Sequence, residues 1–127
     1  MLLRTHIFKR VTIAGVGLIG GSLGLAIKKH QLAREVVGLS HRPASLSQAV
    51  KTNAIDIAET DIRKAVSNAD LIILATPIEA MPNLFAVIGP HVKRGAIITD
   101  VGSAKVDIIE SAEKNLATRD FSWVHIP

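Results

Sequence analysis

The 127-residue chain has no cysteine and no tyrosine, and aromatic residues make up only 3% of it. Without cysteine there is neither a disulfide framework nor a thiolate metal site, a state that fits the cytoplasm. The histidines (His6, His30, His41, His91 and His125) are scattered and lack metal-ligand spacing, so no metal centre is expected. So few aromatics supply no stacking surface, and the basic residues behind the net charge of +4 are spread along the chain instead of clustering in a nucleic-acid motif. Nucleic acid is therefore not an expected partner. The charge suits a small ligand bearing phosphate or carboxylate groups.

Long apolar runs are also missing. Val11–Ile27 is uncharged and follows Arg4, Lys9 and Arg10, which resembles a signal peptide or a membrane anchor. The run is broken by glycines, is shorter than the roughly 20 apolar residues a spanning helix needs, and is not closed by an Ala-x-Ala-like cleavage site. No membrane association is expected. A hydrophobic content of 48%, almost all aliphatic, is enough for one soluble domain with an α/β interior.

Within that run lies Gly15-Val-Gly-Leu-Ile-Gly20, preceded by the β-type residues Val11–Ala14 and followed by a helix-like stretch. Each glycine has a distinct task in a dinucleotide site. Gly15 lets the chain turn sharply out of the strand, Gly17 removes a side chain that would hold a pyrophosphate off the backbone, and Gly20 allows close helix packing. The free N–H groups at Leu18 and Ile19, with the positive end of the helix dipole, then face the phosphates.

Strands and helices alternate at the rhythm of a doubly wound, Rossmann-type parallel sheet. Strands are expected at Val11–Ala14, Val36–Leu39, Ile55–Ile57, Asp70–Ala75 and Ala96–Asp100. Helices are expected at Leu18–Lys29, Pro43–Val50, Asp61–Val66 and Glu79–Ile88, and from about Ser103 to Leu116. No repeats or linkers appear, so residues 1–127 read as one NAD(P)-binding domain.

Cofactor choice is decided at the end of the second strand. An acidic residue there accepts hydrogen bonds from the ribose hydroxyls of NAD and repels the extra phosphate of NADP. Here the position is Ser40, followed by His41 and Arg42. A hydroxyl donor and a guanidinium favour NADP, with NAD possible. Two more strand ends belong to the expected site: Ala75-Thr76-Pro77 after the fourth strand, and Thr99-Asp-Val-Gly-Ser-Ala-Lys105 after the fifth, where Ser103 doubles as a helix cap.

Val11–Gly24, Leu74–Pro77 and Thr99–Lys105 together resemble the nucleotide-binding domain of the prephenate and arogenate dehydrogenases, over nearly the whole chain. Ala104, where that family often has valine, is a minor departure. The resemblance implies an oxidoreductase of tyrosine biosynthesis. In this reaction a hydride passes from the substrate ring to the nicotinamide, carbon dioxide leaves and the ring becomes aromatic. It places Ala75, Thr76 and Pro77 near the nicotinamide ribose and Ser103 at the ring hydroxyl of prephenate or arogenate. It also implies a helical second domain that meets the substrate carboxylates and forms a homodimer, a domain this chain is expected to lack. Two other readings of the residues stand beside it: another NADP-dependent reductase with a similar first domain, such as an imine or hydroxyacid reductase, or a nucleotide-sensing module without catalysis.

The chain departs from the family at Phe121-Ser-Trp-Val-His-Ile-Pro127, where a Gly-x-His-Pro type motif with the catalytic histidine is expected. These residues can be back-translated as TTTTCGTGGGTTCACATCCC, which from its third base reads Phe-Val-Gly-Ser-His-Pro. A change of reading frame just upstream, a plain truncation, and His125 acting as the family histidine in a diverged context are the three accounts. On the first two the chain binds cofactor and turns over poorly.

Overall fold

The computed structural model describes residues 6–76, 81–101 and 122–125. Six parallel strands, β1 (Phe8–Ala14), β2 (Ala33–Leu39), β3 (Ile57–Glu59), β4 (Leu71–Leu74), β5 (Ile97–Asp100) and β6 (Ser122–His125), form one sheet in the order β3-β2-β1-β4-β5-β6. Among the described residues four α-helices alternate with them: α1 (Leu18–Lys29), α2 (Pro43–Lys51), α3 (Ile62–Val66) and α4 (Met81–Ile88). This is the doubly wound α/β class expected from the sequence. The helix expected between β5 and β6 lies outside the described residues.

Parallel strands buried on both faces need apolar residues at successive positions, and β1, β2 and β4 supply them. On one face Ala14, Val37, Leu39, Ile72, Leu74 and Ile98 pack with Ala65 and Val66 of α3 and Phe85 and Ile88 of α4. On the other, Val11, Ile13, Val36 and Ile73 pack with Ile27 of α1 and Leu46 and Ala49 of α2. Thr12 is a polar residue inside the first layer. An unpaired buried hydroxyl would cost roughly 1–3 kcal/mol, and Thr12 avoids this by donating to the Ala65 carbonyl at 2.5 Å.

Several boundaries differ from the sequence expectation. β1 begins at Phe8 and β2 at Ala33, because Lys9, Arg10, Arg34 and Glu35 still pair along the ladder despite their charge. β3 spans Ile57–Glu59 and not Ile55–Ile57. Ala54 and Ile55 are spent as core, and Ile55 fills the space a side chain at Gly38 would need. β6 is an additional strand whose backbone sets Asp100 of β5 in register with His125.

At the amino ends of the strands Asp70 ties three segments together. Its Oδ2 accepts from the Lys9 and Arg10 backbone N–H groups at 2.7 and 3.1 Å, and its Oδ1 pairs with Lys93. The Asp70 N–H donates to the Arg10 carbonyl, and the Asp70 carbonyl accepts from Ile97. Partial burial pushes the Asp70 carboxyl up, but the hydrogen bonds from Lys93, Arg10 and Lys9 and the Lys93 charge outweigh that, so its pKa is held below the ordinary carboxylate value.

Candidate functional site

The strand order reverses between β1 and β4, since β2 and β3 extend to one side of β1 while β4, β5 and β6 extend to the other. A crevice outside the carboxyl ends at that switch point is where open α/β sheets take ligands. It is built here from Gly15 outward. Gly15 has φ +100°, and its N–H donates to the Leu39 carbonyl at 2.9 Å, holding the turn against the end of β2. A Cβ on Gly15 would stand 3.0 Å from the Ala75 carbonyl group and from Thr76 Cγ2. The loop after β1 and the loop after β4 are therefore in close contact.

α1 then starts directly under the crevice. Its N-cap, Gly17, provides no side-chain cap, and no acidic residue occupies the first turn. The first hydrogen bond closing the helix is Gly21 N–H to the Gly17 carbonyl at 2.8 Å, which leaves the N–H groups of Leu18, Ile19 and Gly20 without an intrahelical acceptor. A Cβ on Gly17 would meet nothing within 4 Å, so this glycine borders open space. Gly20 is different: its Cβ would fall 1.9 Å from the Gly15 carbonyl oxygen. Gly20 is buried beneath the loop, does not line the cleft, and acts by letting α1 approach the turn. Leu18 and Ile19 remain 89% and 57% exposed, unusual for aliphatic side chains beside so much buried surface.

Across the cleft, the end of β2 passes into α2 through Ser40, His41 and Arg42. The Ser40 Oγ accepts from the Arg42 backbone N–H at 3.0 Å, a local turn of the type serine hydroxyls favour. The hydroxyl proton stays available, because a serine oxygen can accept and donate at once. Arg42 is the extended N-cap of α2, with Pro43 opening the helix. Thr76 Oγ1, at the end of β4, is buried and has no hydrogen-bond partner among the described residues.

These features share one cleft of about 840 Å³, which Gly15, Gly17, Leu18, Ile19, Ser40, His41, Arg42, Ala75 and Thr76 all line. The fold thus brings together nine of the residues singled out in the sequence. Pro77 and Ser103 lie outside the described residues, as do Gly102 and Lys105. Sequence reasoning missed Ser45 and Thr60 on the polar side of the lining and Leu84 and Val87 on the apolar side. Ser45 had a signal, a hydroxyl in the first turn of a helix opened by proline; Leu84 and Val87 looked like ordinary helix core.

The arrangement fits a dinucleotide. Open amides and a Cβ-free position face the cleft at α1, an orphaned hydroxyl lies beside them, and the Arg42 guanidinium lines the far wall with no carboxylate among the described lining residues. Among the described residues no group of histidine, aspartate or glutamate side chains could hold a metal ion. No helix among them is long and apolar enough to cross a membrane.

Residues 23–124 match the family model described as prephenate dehydrogenase, nucleotide-binding domain. The cyclohexadienyl dehydrogenase of Zymomonas mobilis subsp. mobilis is 36% identical over 110 residues, covering 87% of this chain. The A. aeolicus prephenate dehydrogenase, solved with hydroxyphenyl propionate and NAD+, superposes with a TM-score of 0.81 at 26% identity over 92% of this chain. The Synechocystis arogenate dehydrogenase does so with a TM-score of 0.77 at 30% identity over 84%. The chain spans 38%, 40% and 37% of the lengths of these three proteins. The family match takes in α1 from Leu23 onward, the Ser40–Arg42 turn, β2 to β5 and β6 as far as Val124, so the chain belongs to the family of prephenate dehydrogenase nucleotide-binding domains.

Proposed function

We propose that this chain binds a nicotinamide dinucleotide, NADP in preference to NAD, as the cofactor-binding part of a cytoplasmic prephenate or arogenate dehydrogenase of tyrosine biosynthesis. The observation that carries the NADP preference is the far wall of the cleft, where Ser40, His41 and Arg42 stand and, among the described residues, no carboxylate does. A carboxylate there would repel the ribose phosphate, whereas a guanidinium attracts it.

The bound nicotinamide supplies a hydride acceptor. The chain's own residues position it. Leu18 and Ile19 present backbone donors to the pyrophosphate, helped by the α1 dipole, and Gly17 lets the phosphates approach that backbone. Ser40, His41 and Arg42 take the ribose phosphate. Thr76 offers its unpartnered hydroxyl toward the nicotinamide ribose, beside Ala75 and Pro77. Ser103 is assigned to the ring hydroxyl of the substrate, and a homodimer is the expected state of the full-length enzyme. The relatives named for prephenate, arogenate or cyclohexadienyl substrates support the substrate class, and the A. aeolicus complex with NAD+ supports a nicotinamide cofactor.

Calorimetric titration with NADP and with NAD tests it. NADP is expected to bind more tightly, and Arg42→Ala to weaken NADP about tenfold, the scale of one charge-assisted contact at an exposed site, while NAD is unaffected. Equal affinity for both cofactors, unchanged by the substitution, would remove the NADP assignment.

A further inference from the structure

Next to the Ser40–Arg42 turn, the neighbouring strand also ends at the cleft. In the order β3-β2-β1, β3 pairs with β2 so that Glu59 stands in register with Leu39, and the Glu59 carbonyl accepts from the Ser40 N–H at 3.3 Å. From Glu59 the chain turns into α3. Thr60 and Ile62 of that segment line the cleft together with Leu84 and Val87 of α4, whereas Glu59 lines a groove along α2 with Pro43, Ser47 and Lys51. The Glu59 side chain nevertheless fixes the turn. Its Oε2 accepts from the N–H groups of Thr60 and Asp61, both at 3.0 Å, and Asp61 Oδ1 caps α3 by accepting from the Lys64 N–H at 3.2 Å. Two successive amides thus converge on one charged acceptor, which ties down the backbone that carries the Thr60 side chain.

The parts of a dinucleotide follow the strands outward. With the pyrophosphate at the start of α1, after β1, and the adenosine ribose at the turn after β2, the turn after β3 meets what lies beyond that ribose, the purine. The lining there suits a flat heteroaromatic ring: Ile62, Leu84 and Val87 offer aliphatic surface, and Thr60 offers a hydroxyl that can donate or accept at the ring edge. Ile62 and Leu84 are held by packing against the core. Thr60 is exposed and owes its place to the turn. We infer that Glu59 is a positioning residue for the adenosine end of the cofactor, setting Thr60 against the base through the two amides without touching the ligand. This rests on the dinucleotide reading of the same cleft but not on the choice between NADP and NAD, since both carry the same adenine.

AMP and nicotinamide mononucleotide are both ribose monophosphates and differ in the base, so they separate the two ends of the site. Each is titrated into the full chain by amide NMR, and NADP and NAD are titrated calorimetrically. Glu59→Ala is expected to weaken AMP, NAD and NADP alike by about fivefold, the scale of one hydrogen bond. The NADP-to-NAD ratio and the affinity for nicotinamide mononucleotide should keep their wild-type values. Glu59→Gln retains an acceptor oxygen and should recover most of the loss. Thr60→Val should lose a similar factor, and adding Glu59→Ala to it should cost little more, because the carboxylate acts through Thr60. The inference is overturned, with the dinucleotide reading intact, if Glu59→Ala binds AMP as the wild type does, if AMP and nicotinamide mononucleotide weaken together, or if the two substitutions add in full. A wild-type chain that takes up neither AMP nor either dinucleotide overturns both.

Discussion

At the amino ends of β1 and β4, the Asp70 carboxylate takes up the Lys9 and Arg10 amides and the Lys93 ammonium. At the carboxyl ends of the same two strands, the first-turn amides of α1 and the Thr76 hydroxyl find no acceptor or donor among the described residues. One end of the sheet satisfies its polar groups internally and serves stability. The other leaves them without a protein partner among the described residues, beside a cleft where water or a ligand completes the α1 amides. The contrast explains why the glycines are not equivalent. Gly20 belongs to the packed layer, Gly17 to the open one, and Gly15 joins the two.

Substitutions can break this contrast at either end. The largest effect is expected from Gly20→Ala, which sets a methyl group 1.9 Å from the Gly15 carbonyl. Backbone must move, at a cost of about 3 kcal/mol, read as a lowered urea midpoint together with lost cofactor binding. Gly17→Ala meets nothing in the fold. It should cost at most about 1 kcal/mol of stability through the helix cap, yet, on the proposed pyrophosphate contact at this loop, weaken cofactor binding about tenfold by placing a methyl group in the phosphates' path. A Gly17→Ala protein that binds normally would mean the loop does not contact the ligand.

Asp70→Asn should do the reverse, lowering stability by about 1 kcal/mol with cofactor affinity unchanged. Its pH dependence has a definite sign. Asp70 is held below its ordinary pKa in the folded chain, so its contribution is fully present above the unfolded value near about 3.9 and is lost as pH falls through the folded one. Wild type and Asp70→Asn should therefore converge in stability on acidification, which urea titrations over an acidic pH series would show; a gap that persists at the lowest pH would contradict it.

The elements legible in the sequence were those with an uninterrupted physical signal. α1 spans Leu18–Lys29 as its glycine-led apolar run indicates, and β5 ends at Asp100 as expected. Extension of β1 to Phe8 and of β2 to Ala33 was hidden because strand residues at the sheet's amino edge carry charge on side chains that reach solvent, as in the Arg10–Glu35 pair. The shift in β3 follows from a three-dimensional fact, the close approach of Ala54 and Ile55 to Gly24 and Gly38. A glycine inside a strand does mark such an approach, but not its partner. Similarly, Asp70 reads in sequence as the start of an apolar strand, and only the fold brings Lys9, Arg10 and Lys93 to it. The cleft was legible where backbone chemistry defines it, at Gly15–Ile19 and Ser40–Arg42. It was not legible at Leu84 and Val87, whose helical spacing also fits a buried face.

The most direct test of the two-ended design is amide NMR of the labelled chain during titration with NADP. The signals of Leu18, Ile19, Ser40, His41 and Arg42 are predicted to shift together and saturably, while those of Lys9, Arg10 and Asp70 hold their positions. Saturable shifts at the Asp70 end with none at Leu18 and Ile19 would contradict the account.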